Sequence, residues 1–262
     1  SVIYLSINKH KNAINLINRA RPCKVKSKII FEVNLELFKS LQSIGNLSLL
    51  KSRVDLVKKQ KRYWPYLISF YGHINNSKNY SSLMKYYSWS VQNKKIIPLE
   101  SLDVIARLKL KKLNRTVDRF NRIKPRFPEK RFNKILKKKF ALLDKITTEA
   151  VAVFKIGSGK GIVKAYKMLI ESYSSFADSV NKFSPPGKSA GYLKSFRKGM
   201  AELMAPVSKK ANDFRKEAYN TIVKNEILSD DSYWFINKYA LPFSVMYNFK
   251  KGGMLMDRTG GR

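Results

Sequence analysis

Apolar residues recur at steps of three and four along most of the chain, the period of a helix with one buried face. The longest such pattern lies over 128–228. Phe132, Ile135, Leu136, Phe140, Leu143, Ile146, Ala150, Val151 and Phe154 share one stripe, while Lys134, Lys138, Lys145 and Glu149 share the other face. A second stripe runs from Ile162 through Tyr166, Ile170 and Phe176 to Phe183, and a third from Tyr192 through Met204 and Phe214 to Ile222. Pro128 and Glu129 suit a first turn, where a missing N–H is harmless and a carboxylate meets the positive end of the helix dipole. The breaks are short: GSGKG over 157–161 and SPPGKSAG over 184–191. Pro206 interrupts the third pattern, but the stripe stays in phase on both sides, which predicts a kink rather than an end. Each segment spans roughly 25–35 residues, or roughly 40–50 Å at the rise of an α-helix. Three such helices with short turns should fold back antiparallel.

Shorter amphipathic segments precede them. Helices are predicted over 12–19, 29–44, 49–59, 66–74 and 80–91, from Pro98 to about Leu113, and in a short piece over 114–123. Gly45-Asn46, Asn75-Asn76-Ser77, Pro125 and Pro128 act as breakers. Strand signals are few. The pattern predicts an all-α fold of a dozen or so helices. A helix-pair, solenoid-like array covers 1–127, a long three-helix bundle covers 128–240, and a disordered tail covers 241–262. A short helix is expected after Ser229, with Trp234 and Phe235 docking back.

Composition supports a globular chain: 44% of its 262 residues are hydrophobic and 12% aromatic. Charge changes the picture more. The chain has 53 Lys and Arg against 18 Asp and Glu, for a net +35. Residues 1–127 carry 27 against 6, leaving +21, so the front half is the more basic. Such a balance favours polyanions or anionic surfaces, although lysines dispersed over every helix also fit an ordinary solvated face. The densest run gives the candidate polyanion-binding residues: Lys109, Lys111, Lys112, Arg115, Arg119, Arg122, Lys124 and Arg126.

Groups that do chemistry are scarce. His10 and His73 are the two histidines, and Cys23 is the one cysteine. They make no convincing metal set or thiol–imidazole pair, and one cysteine allows no internal disulfide. Glu32 and Glu36 lie one turn apart on a basic helix and suit ion pairs with lysine. GSGKG lacks the first glycine of a phosphate loop, since Phe154 stands there, and Gly161 follows Lys160 where Ser or Thr is needed to hold magnesium. A turn between helices explains it better. No catalytic residue, metal, cofactor or small-molecule substrate is expected. No apolar run is long enough for a membrane-spanning helix. The opening SVIYLSI, without Met, reads as the inside of an element and suggests a longer chain upstream, so no compartment is assigned.

A cluster of aromatics interleaved with Lys61, Arg62, Lys78 and Lys85 gives the candidate partner-binding residues: Tyr63, Trp64, Tyr71, Tyr86 and Trp89. Tyr86 and Trp89 are expected to be exposed. Core packing between helix pairs is the competing account.

Two segments align without gaps. Tyr4, Ile7, Asn8, Lys11-Asn12 and Leu16 match Tyr71, Ile74, Asn75, Lys78-Asn79 and Leu83, an offset of 67 residues. That is close to twice the 34 residues of a tetratricopeptide unit. Tyr4, Ala13 and Ala20 stand at that repeat's first-helix tyrosine and its two small second-helix positions, so residues 1–95 resemble a degenerate tetratricopeptide-like solenoid. The copy at Tyr71 departs from the pattern, with Tyr80 and Tyr87 at the small positions, and the first-helix Trp and Leu-Gly signature is absent. The resemblance implies stacked helix pairs whose concave face binds a protein partner, with the long helices capping the stack. The function expected first is a non-enzymatic scaffold that binds a protein, and the alternative is a basic module that binds nucleic acid or an anionic surface.

Overall fold

The computed structural model describes residues 10–20, 27–74, 80–227, 229, 231–232 and 235. Among these the chain is all-α, with nine helices and no strand. Tyr4, Cys23, the 75–79 corner, Trp234 and the expected tail over 241–262 lie outside the described residues. No described helix is long and apolar enough to cross a membrane. The chain forms two compact units, one ending at Ile105 and the other starting at Ala106.

The first unit is the helix-pair array. It contains α1 (His10–Ala20), α2 (Ser27–Ser43), α3 (Leu47–Val57), a 3-10 turn (Lys61–Tyr63), α4 (Trp64–Ile74) and α5 (Tyr80–Gln92). The first turns of α6 (Leu99–Arg122) complete it. Each helix through α5 packs on the next, and α2 also touches α4. The corner between α2 and α3 shows how sequence makes such a pair. Gly45 takes a φ of 73°, the left-handed conformation that favours glycine. Its N–H donates to the Gln42 carbonyl at 3.1 Å, and the Asn46 N–H donates to that of Leu41 at 3.0 Å. The Asn46 side chain then caps α3, accepting from the Leu49 N–H at 3.2 Å. One Gly-Asn dipeptide therefore ends one helix and starts the next. Helix α4 is buried on nearly all sides, with Trp64, Leu67, Ile68, Phe70 and Tyr71 inside.

The second unit contains the rest of α6, α7 (Glu129–Phe154), α8 (Gly159–Asn181) and α9 (Ala190–Lys224). Three ring pairs set α7 and α8 antiparallel. Phe132–Phe183 centroids lie 5.1 Å apart, Phe140–Phe176 5.1 Å and Phe154–Tyr166 4.3 Å. Helix α9 returns along α8, with Phe214 against Tyr173 and the Tyr166 hydroxyl donating to Glu217 at 2.9 Å. Helix α6 runs parallel to α8. A Cβ on Gly161 would stand 2.6 Å from that of Ala106, and Phe120 meets Phe176 at 5.8 Å. The result is an up-down-up-down bundle with α8 touching all three partners. Near the GSGKG turn, Val163, Tyr166, Ile170, Ala218, Ile222, Ile227 and Phe235 form one core cluster, so Phe235 does dock back as expected.

Several expectations need correction. Helix α6 passes through Asn114 without a break. Its buried stripe of Ala106, Leu110, Leu113, Thr116 and Phe120 keeps helical phase across that position, and Asn114 points outward. The divide between units falls inside α6, whereas the hydrophobic pattern places it at 127/128, so the bundle has four helices. By contrast, helix α9 does not end at exposed Pro206, in keeping with the stripe that stays in phase across it, and the carbonyl left without its partner can meet solvent. Glu149, assigned to a polar face, is buried because α6 covers it.

Glu149 joins α6 to α7. Its Oε2 accepts from the Thr116 hydroxyl at 2.7 Å, and Lys112 Nζ stands 3.7 Å from Oε1, which receives no hydrogen bond. Replacing Thr116 with valine keeps the volume but removes the one hydroxyl that satisfies the buried carboxylate. We expect a loss of about 2–3 kcal/mol, the cost of stranding a buried charged acceptor. Urea unfolding followed by circular dichroism measures it. A change within about 0.5 kcal/mol, the size of an ordinary surface substitution, would remove this role for the pair.

Candidate functional site

The aromatic cluster assembles, but as core. Trp64 packs on Tyr86 and Trp89, with centroids 4.9 and 5.2 Å away, and Tyr71 reaches Tyr86 at 6.3 Å. Tyr63 stands apart from them, between Phe31 and Phe38. Polar tips are satisfied inside. The Trp64 indole N–H donates to the Lys58 carbonyl at 2.9 Å, the Tyr71 hydroxyl to Asp55 at 2.7 Å, and Asn34 to the Tyr63 hydroxyl at 3.2 Å. Burial and the Asp55 carboxylate push the Tyr71 hydroxyl pKa well up. Tyr63, Trp64, Tyr71 and Tyr86 are buried, and Trp89 is half-buried. The expectation that Tyr86 and Trp89 are exposed is therefore corrected: only 8% of Tyr86 is accessible and Trp89 is half-buried against Trp64, because α4 lies against α5 along this seam.

The basic run has the opposite fate. Lys111, Lys112, Arg115, Arg119, Arg122, Lys124 and Arg126 are exposed, and Lys109 is half-buried. On α6 the steps from Lys111 to Arg115, Arg119 and Arg122 are four, four and three, so these residues share the face opposite the buried stripe. Lys112 borders them and pairs with Glu149. Arg119 is held along the helix, donating to the Arg115 carbonyl at 3.3 Å and to Thr116 at 3.4 Å.

Helix α7 adds a row that the run does not contain. Arg131, Lys138 and Lys145 are exposed and follow one another at steps of seven, with Glu149 four residues further on. Residues at that spacing share a face. Since Glu149 meets Thr116 and Lys112, this row lies on the edge of α7 that borders α6. Two rows of cations therefore flank the α6–α7 seam, with one buried carboxylate beneath them. Counting by unit also reverses the expected gradient. Residues 1–105 carry 18 Lys and Arg against 5 Asp and Glu, leaving +13, and residues 106–262 carry 35 against 13, leaving +22.

No protein-family model, curated protein or solved structure matches the chain.

Below the seam sits a lysine the run did not include. Lys139 is 5% exposed, with its Nζ 4.2 Å from the Phe120 ring centroid and 5.3 Å from that of Phe176. Burial, reinforced by the Lys124 charge, lowers its pKa to about 8. Its phase was the available signal. Lys139 falls between Leu136 and Leu143 at steps of three and four, on the apolar stripe itself. No group of three or more His, Cys, Asp or Glu residues that could hold a metal occurs among the described residues. Ser158, the second residue of GSGKG, caps α8 by accepting from the Gly161 N–H at 3.0 Å, which fits a turn between helices.

Proposed function

We propose that the chain is a non-enzymatic helical module that binds nucleic acid along the α6–α7 face. The observation that carries the reading is the double row of exposed cations over a single buried carboxylate. Lys and Arg so arranged neutralise backbone phosphates and release condensed counterions, a sequence-independent source of affinity. Among the described residues of α6 beyond Ile105 and of α7, Val151 is the one exposed large apolar side chain. The face thus lacks the apolar residues that seat interfacial helices in lipid, and it lacks exposed aromatics for base stacking. Binding is expected to follow the phosphate backbone with little base preference. Fluorescence anisotropy with labelled single-stranded and duplex oligonucleotides at about 50 mM salt, where phosphate contacts dominate, tests it. No binding to either would end the proposal.

A second reading is a scaffold that binds a protein partner through the array. Its support is the stacking order, with each short helix on the next and α2 reaching α4 across the intervening pair partner. That is the neighbour pattern of a helical-repeat stack, consistent with the tetratricopeptide-like spacing. A partner retained from native extract after nuclease treatment would favour this reading. Retention that nuclease abolishes would favour the first.

A further inference from the structure

The connection between α5 and α6 carries the two most exposed large apolar side chains among the described residues. Ile96 is 87% accessible and Leu99 69%, with Val91 exposed just before them. Lys94 and Lys95 stand between, both exposed. The segment is pinned at each end. The Lys94 N–H donates to the Val91 carbonyl at 3.1 Å and the Lys95 N–H to that of Ser90 at 2.9 Å, closing α5. The Ser101 and Leu102 N–H groups both donate to the Pro98 carbonyl, opening α6. The buried Ser90 hydroxyl anchors the end of α5 by donating to the Tyr86 carbonyl at 2.7 Å. Display of Ile96 and Leu99 is therefore built into the backbone.

Lys94 has a φ of 48°, a conformation that glycine adopts more easily. A cation occupies the position where a helix end most often has glycine. Glu100, in the first turn of α6, is the one carboxylate within residues 91–101. Apolar tips beside exposed lysines form the pattern that enters a bilayer interface. The aliphatic groups reach the acyl boundary while the lysines meet anionic headgroups. Charge complementarity favours a negatively charged lipid surface over a neutral apolar partner.

We propose that the α5–α6 connection seats the first unit on an anionic bilayer, with Ile96 and Leu99 entering the headgroup–acyl boundary and Lys94 and Lys95 pairing with lipid phosphates. This does not depend on nucleic-acid binding, which uses a different surface.

Co-sedimentation tests it, with vesicles of phosphatidylglycerol and phosphatidylcholine in equal parts and vesicles of phosphatidylcholine alone. The intact chain should sediment with the mixed vesicles and not with the neutral ones. The Ile96→Ser/Leu99→Ser variant should bind the mixed vesicles at least about tenfold more weakly, because two buried aliphatic side chains are lost. Its oligonucleotide affinity should not change. Both positions face solvent, so the fold should persist, and circular dichroism checks this. Absence of sedimentation with mixed vesicles overturns the proposal. So does sedimentation that survives the double serine change but is lost on Arg115→Glu/Arg119→Glu/Arg122→Glu, since that would be charge attraction without insertion.

Discussion

Replacing Lys139 with methionine should stabilise the protein by about 2 kcal/mol near neutral pH, within the range seen when buried charges give way to apolar side chains. The ammonium is buried between Phe120 and Phe176, and no carboxylate pairs with it among the described residues. Methionine fills similar space and makes favourable sulfur–ring contacts, which offset the lost cation–ring attraction of about 0.5–2 kcal/mol. The sign with pH follows from linkage. A lysine ordinarily titrates near 10.5, and this one titrates at about 8 when folded. Below pH 8 it is charged in both states, and the full cost of burying the charge is present. Between about 8 and 10.5 the unfolded chain binds more protons, so the intact protein gains stability as pH rises. The full shift corresponds to about 3 kcal/mol. The advantage of Lys139→Met over the intact chain should therefore be largest at pH 7 and shrink steadily by pH 9.5. Thermal or urea unfolding of both chains across that range measures it. A destabilised variant, or a pH-independent gap, would show that the ammonium is held by favourable contacts instead.

Reversing the α6 row with Arg115→Glu/Arg119→Glu/Arg122→Glu should weaken oligonucleotide binding by about a hundredfold or more at about 0.1 M salt. Each change removes a phosphate contact and adds a repulsion. All three side chains are exposed, and the buried stripe of α6 is untouched, so stability should change little. Lys198→Glu/Lys209→Glu/Lys216→Glu, at three exposed positions on α9, provides the matched control. It should weaken binding only modestly. Equal losses from both variants in anisotropy titrations would mean that affinity follows total charge, with no privileged face.

Much of the fold was legible because its signals are local. The stripe from Ile162 to Phe183 marks α8, the helix on which the bundle centres. Gly45-Asn46, GSGKG and SPPG each do at a turn what their residue types suggest. The missed features depend on neighbours that sequence does not name. Helix α4 has almost no polar face, yet an aromatic such as Tyr86 reads as a ligand surface until α4 is known to lie against α5. Glu149 looks solvent-facing in a three-helix bundle and becomes buried once α6 supplies a fourth. The sequence pattern ends a helix near Leu113 and restarts at Asn114, but the helix runs on and turns Thr116 inward to meet that carboxylate. The exposed run from Lys111 to Arg126 was found by density alone. The matching row of Arg131, Lys138 and Lys145 appears only when α6 and α7 are set side by side. Lys139 was hidden among neighbouring cations and is distinguished only by phase.

The central claim is that phosphate contacts are made by the α6–α7 face. Its most direct test is the salt dependence of single-stranded oligonucleotide binding for the intact chain and for Arg115→Gln/Arg119→Gln/Arg122→Gln. Each phosphate contact contributes about 0.7 to the slope of log affinity against log salt. Loss of three contacts should therefore lower the slope by about 2, with weaker binding at every salt concentration. An unchanged slope in the variant, or an intact chain whose affinity does not fall with salt, would contradict the account.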